Sequence, residues 1–404
     1  MVVSTATATP PHRRSLAGAT ILQMVPGLRD EPAGHAAVDI ALMLLQSGAR
    51  AIIAGEGGAL VGELRAFGGE WLDMTADTLN PLTIKRNARA LAGLIGSERI
   101  DIVHAHCASA AWSAKAAIAR LPVRLVTSFP DRLAADSWWR TRFQSALAQG
   151  HRVIAPSSYV SLAMIDRYRI SPERIVVIPR SIDTASFSPA ATFVERTAAL
   201  RRAWGVLPDV KIILVPGRVV PWNGQIAMID AARHLVANGD RNVAIVFVGD
   251  DRADRRYRRA VIQRARGFGV DTLIRLTGPC ADMAAAYAAA SVVVIPAMLP
   301  PLTGRNAAEA QAVGRPVVVH AVGVLPENVL SPPRIDEQLR TGWVVRPGQP
   351  GELARAIAAA LKLDRTAFDA LGARARQFAE FMFSPQSVAE AIRGVYTSLL
   401  ARGP

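Results

Sequence analysis

Two segments of the 404-residue chain carry residues at spacings suited to holding a diphosphate. The first, Val215-Pro-Gly217-Arg218-Val-Val-Pro221-Trp222-Asn223-Gly224-Gln225, reads as a strand entering a glycine-containing loop and then a helix. The second, Gly304-Arg305-Asn-Ala-Ala-Glu309 through Gly314-Arg315-Pro316, reads as a loop, a helix that begins at a glycine, and the next strand. Each sets the amides of a helix start beside an arginine, and first-turn amides together with a guanidinium favour phosphate oxygens. Glu309, one turn inside its helix, is placed to accept hydrogen bonds from a ribose diol.

Other motifs carry weaker signals. Gly55-Glu-Gly57-Gly58 follows a strand but lacks the full GxGxxG spacing, so a structural turn is favoured over a phosphate contact. His104 and His106 alternate on a strand end beside Cys107; without the usual zinc spacings they read as cleft-lining or packing residues rather than metal ligands. The arginine-rich run 252–266 opens with Asp250, Asp251 and Asp254 and has no interleaved aromatic platform, which makes it a solvated helix face and not a nucleic-acid stripe. Trp138, Trp139 and Phe143 lie among Arg140, Arg142 and Arg152, a mixture that suits either a lipid headgroup interface or a half-buried helix.

These residues need a scaffold, and the chain is long enough for two domains. Half of its residues are hydrophobic and 20% are charged, which excludes a disordered chain, a collagen or a coiled-coil rod. Two cysteines, Cys107 and Cys280, exclude a disulfide scaffold. The net charge of +14 comes from 47 basic residues of which four are lysines, and it favours anionic partners such as phosphates or an acidic membrane surface.

Short apolar runs alternate with helical patterns throughout, as in parallel sheets built from βαβ units. One series of strands is expected at Thr20–Val25, Ala49–Gly55, Ile100–His104, Arg124–Phe129, Arg152–Ala155 and Ile175–Pro179. A second is expected at Lys211–Val215, Val243–Val248, Ile274–Thr277, Ser291–Ile295 and Pro316–His320. The turn-rich stretch 181–189 lies between the two series. The predicted organisation is a loose tail at 1–18 with no signal-peptide pattern, doubly wound domains at 19–185 and 190–384, and a helix at 385–404 that packs back across them. Ligands are expected in a cleft at the strand C-termini. The apolar stretch 284–302 is interrupted by Pro296, Pro300 and Pro301 and is not a membrane span.

At the two diphosphate segments the chain resembles the retaining glycosyltransferases of family 4, and within them bacterial members used in lipopolysaccharide or other envelope polysaccharide assembly. Asp101-Ile-Val-His104-Ala-His106, Val153-Ile-Ala-Pro-Ser157, Ile178-Pro-Arg-Ser-Ile-Asp183 with Phe187, Gly278, Asp282-Met, Glu327 and Gly342-Trp-Val-Val-Arg-Pro-Gly348 follow in the family's order. The resemblance implies an α/β GT-B fold of two Rossmann-like domains with a cleft between them. It also implies a nucleotide sugar on the second domain held without metal or cofactor, and hexose transfer to an envelope glycan or lipid acceptor on the cytoplasmic side of the membrane.

By motif, Gly217, Arg218, Asn223, Gly304 and Arg305 would surround the diphosphate, Glu309 would bind ribose, and His104 and His106 would face the acceptor side. Four positions depart from the family pattern. Asn223 replaces a lysine, Pro301 the first of two glutamates and Pro130 a histidine, while Asp30-Glu31-Pro32-Ala33 stands where a glycine pair is usual. Arg305 and His320 are candidates to compensate. The departures raise an alternative, a catalytically impaired relative that binds nucleotide as the partner of an active transferase.

Overall fold

The computed structural model describes residues 16–130, 137–192, 194–301 and 303–401. Contacts divide these into two compact units, one running to Pro179 and resuming at Val388, the other comprising Arg180–Ser387.

The first unit is a seven-stranded sheet of β1 (Thr20–Gly27), β2 (Arg50–Glu56), β3 (Glu70–Asp73), β4 (Ile102–Ala105), β5 (Arg124–Ser128), β6 (Arg152–Ala155) and β7 (Ile175–Val177). Its order is β3-β2-β1-β4-β5-β6-β7 with every pairing parallel. Side chains alternate across a strand, so its apolar runs fill two cores at once. Ile21, Ile53, Ile102 and Val126 enter one core, and their neighbours Leu22, Ile52, Val103 and Leu125 enter the other. The helix Pro385–Leu400 covers the first of these faces with Ile392, Val395, Tyr396 and Leu399. Each such side chain contributes about 1.5–3 kcal/mol on burial. The tail predicted at 1–18 lies mostly outside the described residues, but Leu16 is already buried in this core.

The second unit has six strands, β8 (Lys211–Pro216), β9 (Val243–Val248), β10 (Ile274–Gly278), β11 (Val292–Ile295), β12 (Val317–His320) and β13 (Gly342–Val345), in the order β10-β9-β8-β11-β12-β13. All pair in parallel. Helices Gln225–Ala237 and Pro350–Leu361 pack on one face, and Met283–Ala289 and Arg305–Ala312 on the other. Ile182 belongs here rather than with the first series of strands. Its side chain is buried among Ala308, Ala312, Ala379 and Phe383, and its amide donates to the Phe383 carbonyl at 2.8 Å.

Two strands lack a clear sequence signal. Both β3 (EWLD) and β13 (GWVV) are four-residue sheet edges whose side chains are mostly half-buried, so neither needs a continuous apolar run. The stretch 284–302 resolves into the end of a short helix and strand β11, and no helix among the described residues is long and apolar enough to cross a membrane. The arginine-rich run forms the helix Arg255–Gly267, capped by Asp254, with Arg258 paired to Asp251 and Arg264 to Asp230, each at 2.8 Å.

Candidate functional site

The second unit's strand order reverses between β8 and β11, which opens a crevice at their C-terminal ends. The segment after β8 turns sharply there. Gly217 has φ +125°, a conformation that glycine adopts without strain, and a Cβ on it would meet Asn223 Nδ2 at 3.1 Å. Asn223 does not project a polar group like the lysine it replaces: its Nδ2 donates to the Arg218 carbonyl at 2.8 Å, and Gln225 Nε2 donates to the same oxygen at 3.0 Å. The loop is therefore tied to itself, while the Arg218 side chain is exposed and makes no ion pair among the described residues.

Across the crevice, Gly304 caps the helix Arg305–Ala312. A Cβ on Gly304 would lie 1.8 Å from Asn328 Nδ2, so close approach to Asn328 requires the glycine. The amides at this helix start are donors without intrahelical partners. Glu309 is buried, with Arg305 Nε bonded to Oε1 and the Tyr287 hydroxyl donating to Oε2 at 3.1 Å. Burial pushes the Glu309 carboxyl above its ordinary range, and Arg305 and Tyr287 pull against that shift.

A cavity of about 530 Å³ borders this carboxylate, lined by Phe187, Arg196, Asp282, Met283, Arg305 and Glu309 among others. Asp282 forms a two-bond ion pair with Arg196, at 2.7 and 2.6 Å, and also caps the helix Met283–Ala289. Tyr287 and Arg196 escaped the sequence reading. A lone tyrosine in an alanine-rich helix has no spacing that marks it, and Arg196 lies 86 residues from its partner.

Pro301 is half-buried, a Cβ on Gly323 would meet Pro300 at 2.9 Å and Pro301 at 3.4 Å, and no carboxylate stands in this loop segment. His320 ends β12 with Nδ1 on the Ala297 carbonyl at 3.0 Å. Its ring borders a further cavity of about 420 Å³ with Gly224, Tyr257, Met298 and Gln349, and burial lowers its pKa.

In the first unit His104 is fully buried and hydrogen-bonded, so its side chain lines no open surface, in contrast to the cleft-lining placement expected from the sequence. Its Nδ1 meets the Tyr396 hydroxyl at 2.6 Å, its Nε2 meets Ser128 Oγ at 2.8 Å, and its ring lies 4.0 Å from that of His106. Burial and the neighbouring His106 hold its pKa well below the ordinary value. His106 is half-buried, and no group of three or more His, Cys, Asp or Glu side chains able to hold a metal occurs among the described residues. Pro130, half-buried, follows β5 directly before residues outside the description.

Gly55 and Gly58 serve the turn: a Cβ on either would strike the Val25 or Leu28 carbonyl, at 2.5 and 2.2 Å. Trp138 and Trp139 are 79% and 44% exposed, with the Arg140 guanidinium 5.2 Å from the Trp139 ring centroid, so neither is a core residue.

Comparison with known proteins adds to this geometry. A family model described as glycosyl transferases group 1 matches residues 210–362, and one described as glycosyltransferase family 4 matches residues 63–186. The D-inositol 3-phosphate glycosyltransferases of Geodermatophilus obscurus and Kineococcus radiotolerans are each 30% identical over 63% of this chain, covering 54% and 58% of their own lengths. The chain thus spans just over half the length of these curated relatives. A glycosyltransferase from Rickettsia africae superposes with a TM-score of 0.76 at 24% identity, over 95% of this chain and 99% of that one. Anabaena HepE, solved with UDP-glucose, superposes at 0.68 and 21% identity, over 94% and 99%. The architecture is an α/β fold of the GT-B type.

Proposed function

The chain belongs to the group 1, family 4 glycosyltransferases, and on that premise we propose that it transfers a hexose from a nucleoside diphosphate sugar to a cell-envelope glycan or lipid acceptor, with retention and without a metal. The observation that carries this reading is the placement, on the segments that follow the neighbouring strands β8 and β11 at the strand-order switch of the second unit, of the exposed Arg218, the helix start at Gly304 and Arg305, and the carboxylate of Glu309. The guanidinium and the orphan amides suit a leaving diphosphate whose charge grows as the glycosidic bond breaks, which is stabilisation by fixed dipoles and charge. Glu309 suits the ribose diol. HepE, solved with UDP and with UDP and glucose, supports a uridine donor. His106 remains the acceptor-side candidate of the first unit.

The exposed Trp138 and Trp139 beside Arg140 and Arg142 support peripheral contact with an anionic membrane surface on the cytoplasmic side. One observation favours a second reading, a nucleotide-binding partner of an active transferase: Arg305 and Tyr287 already occupy the Glu309 carboxylate, while Asn223 and Pro301 supply neither the cation nor the carboxylate of the family pattern.

Calorimetry with UDP, GDP and ADP, run beside a turnover assay over a panel of donor sugars, tests both. Binding by one nucleotide that weakens about tenfold or more in Arg218→Ala and in Glu309→Ala is expected. Equal binding by both variants sinks the site assignment; nucleotide binding without turnover of any donor turns the reading to the scaffold.

A further inference from the structure

A third cavity of the second unit lies at the opposite end of the central strands, where they start rather than end. It measures about 390 Å³ and is lined by Lys211, Ser291, Arg315, Asp364, Arg365 and Phe368, with Ala288–Ala290, Leu361 and Leu363 as its apolar wall. Lys211 opens β8, and Arg315 stands just ahead of β12, so none of the groups around the Arg218 crevice reaches this end of the sheet.

Arg315 is the unusual member. Its Nε is buried with no hydrogen-bond partner among the described residues, and its guanidinium lies 5.3 Å from the centroid of the Phe368 ring. Burial, reinforced by the neighbouring Arg365, lowers its pKa, while Asp369 pulls the other way. An arginine does not release its proton at ordinary pH, so the folded chain holds a half-buried positive charge, its Nε fully buried, without a counter-charge in contact among the described residues. Buried charges elsewhere in proteins are paired, because desolvation is costly unless a partner offsets it.

The other charges do not meet this need. Asp369 is engaged by Arg365 at 2.6 Å, and Asp364 is turned to its own helix, accepting from the Ala367 amide at 2.8 Å. Lys211 Nζ donates to the Leu361 carbonyl, which leaves its charge unneutralised. Three cations therefore stand against two carboxylates, one of which is already paired with Arg365, and the start of the 19-residue helix Arg365–Phe383 adds the positive end of a dipole to the same space.

We propose that this cavity is an anion site distinct from the donor site, and that it takes a small phosphorylated molecule. The phosphate would sit on Arg315 between Lys211 and Arg365, and its organic part would lie against Phe368, Leu363 and the alanines. A phosphate monoester fits better than a carboxylate because a dianion can satisfy more than one cation. The cavity also has room for a body beyond the bare ion. The assignment does not depend on the transferase reading, since it shares no residue with it.

The test uses the full chain with glycerol 3-phosphate as probe and glycerol as neutral control, by calorimetry and thermal unfolding at fixed ionic strength. Wild type is expected to bind glycerol 3-phosphate and not glycerol, with an accompanying rise in Tm. Arg315→Met should weaken binding about tenfold or more, Arg315→Lys should weaken it less, and Arg218→Ala should leave it within about twofold. Arg365→Glu, a change at an exposed side chain, should also weaken it about tenfold, and serves where Arg315→Met does not fold. The proposal is overturned if wild type shows no binding at about 10 mM probe, if Arg365→Glu or a folded Arg315→Met binds as wild type does, or if Arg218→Ala is the variant that abolishes binding.

Discussion

The Tyr287 hydroxyl and the Glu309 carboxylate lie 3.1 Å apart in the interior of the second unit, and Arg305 closes the carboxylate's other oxygen. This arrangement joins a helix that shows no motif to the residue expected to read the ribose, and it gives the site a pH dependence. Burial raises the Glu309 pKa above its ordinary 4.5. Between the unfolded and folded values the folded chain keeps a proton that the unfolded chain has released, so the contribution of Glu309 to stability is largest below about pH 4.5 and declines as pH rises through its folded pKa. The Tm of wild type minus that of Glu309→Gln is therefore expected to fall as pH rises above about 4.5. A difference that grows over that range contradicts the assignment.

Restoring the family's charges has a structural cost that the geometry makes explicit. Asn223→Lys adds a cation beside the diphosphate, expected to tighten UDP binding by about 1–3 kcal/mol, more at low salt. It also removes the Asn223 to Arg218 hydrogen bond, with a loss of about 0.5–1.5 kcal/mol of stability. Pro301→Glu is expected to change donor turnover or hydrolysis more than affinity for the bare nucleotide. Calorimetry at two salt concentrations, denaturation and a turnover assay read these separately; an Asn223→Lys variant that binds UDP no better than wild type at low salt refutes the electrostatic argument.

Trp138 and Trp139 are exposed, so Trp138→Ser with Trp139→Ser should leave Tm nearly unchanged. The double variant is expected to sediment about tenfold more weakly with anionic vesicles. Sedimentation equal to wild type removes the membrane reading.

His104 supplies a second titration of opposite sense. Its folded pKa lies well below 6.5, so below about pH 6.5 the unfolded chain takes up a proton that the buried ring refuses. The resulting stability is fully present above that pH and is lost as pH falls. A His104→Gln variant should show a flatter decline in Tm between about pH 7 and pH 5 than wild type. Tyr396→Phe, which removes the 2.6 Å bond, should cost about 1–3 kcal/mol in denaturation. Parallel pH profiles for wild type and His104→Gln would show that the ring titrates as in the unfolded chain.

The fold was largely legible because its signals are local. A parallel strand buried on both faces must be an apolar run, and β1, β9 and β12 stand out for that reason. The edges β3 and β13 did not, since a half-buried edge tolerates mixed residues. In the candidate site, Gly217 with Arg218 and Gly304 with Arg305 were singled out from the residues themselves. A glycine at a strand-to-helix turn follows from backbone sterics, as the positive φ of Gly217 and the close approach at Gly304 bear out.

The amino-acid sequence by itself determined two successive series of parallel strands and the helix starts that can face phosphate, because periodicity and glycine placement act within a few residues. Tertiary structure alone decided how these residues are used. It turned Asn223 inward to tie a loop, closed Glu309 with Tyr287, locked His104 against Tyr396 from 292 residues away, and left the buried Nε of Arg315, beside Phe368, without a hydrogen-bond partner among the described residues. The physical reason is that hydrogen bonds and desolvation depend on which atoms meet in space, and partners far apart along the chain impose no pattern on the residues between them.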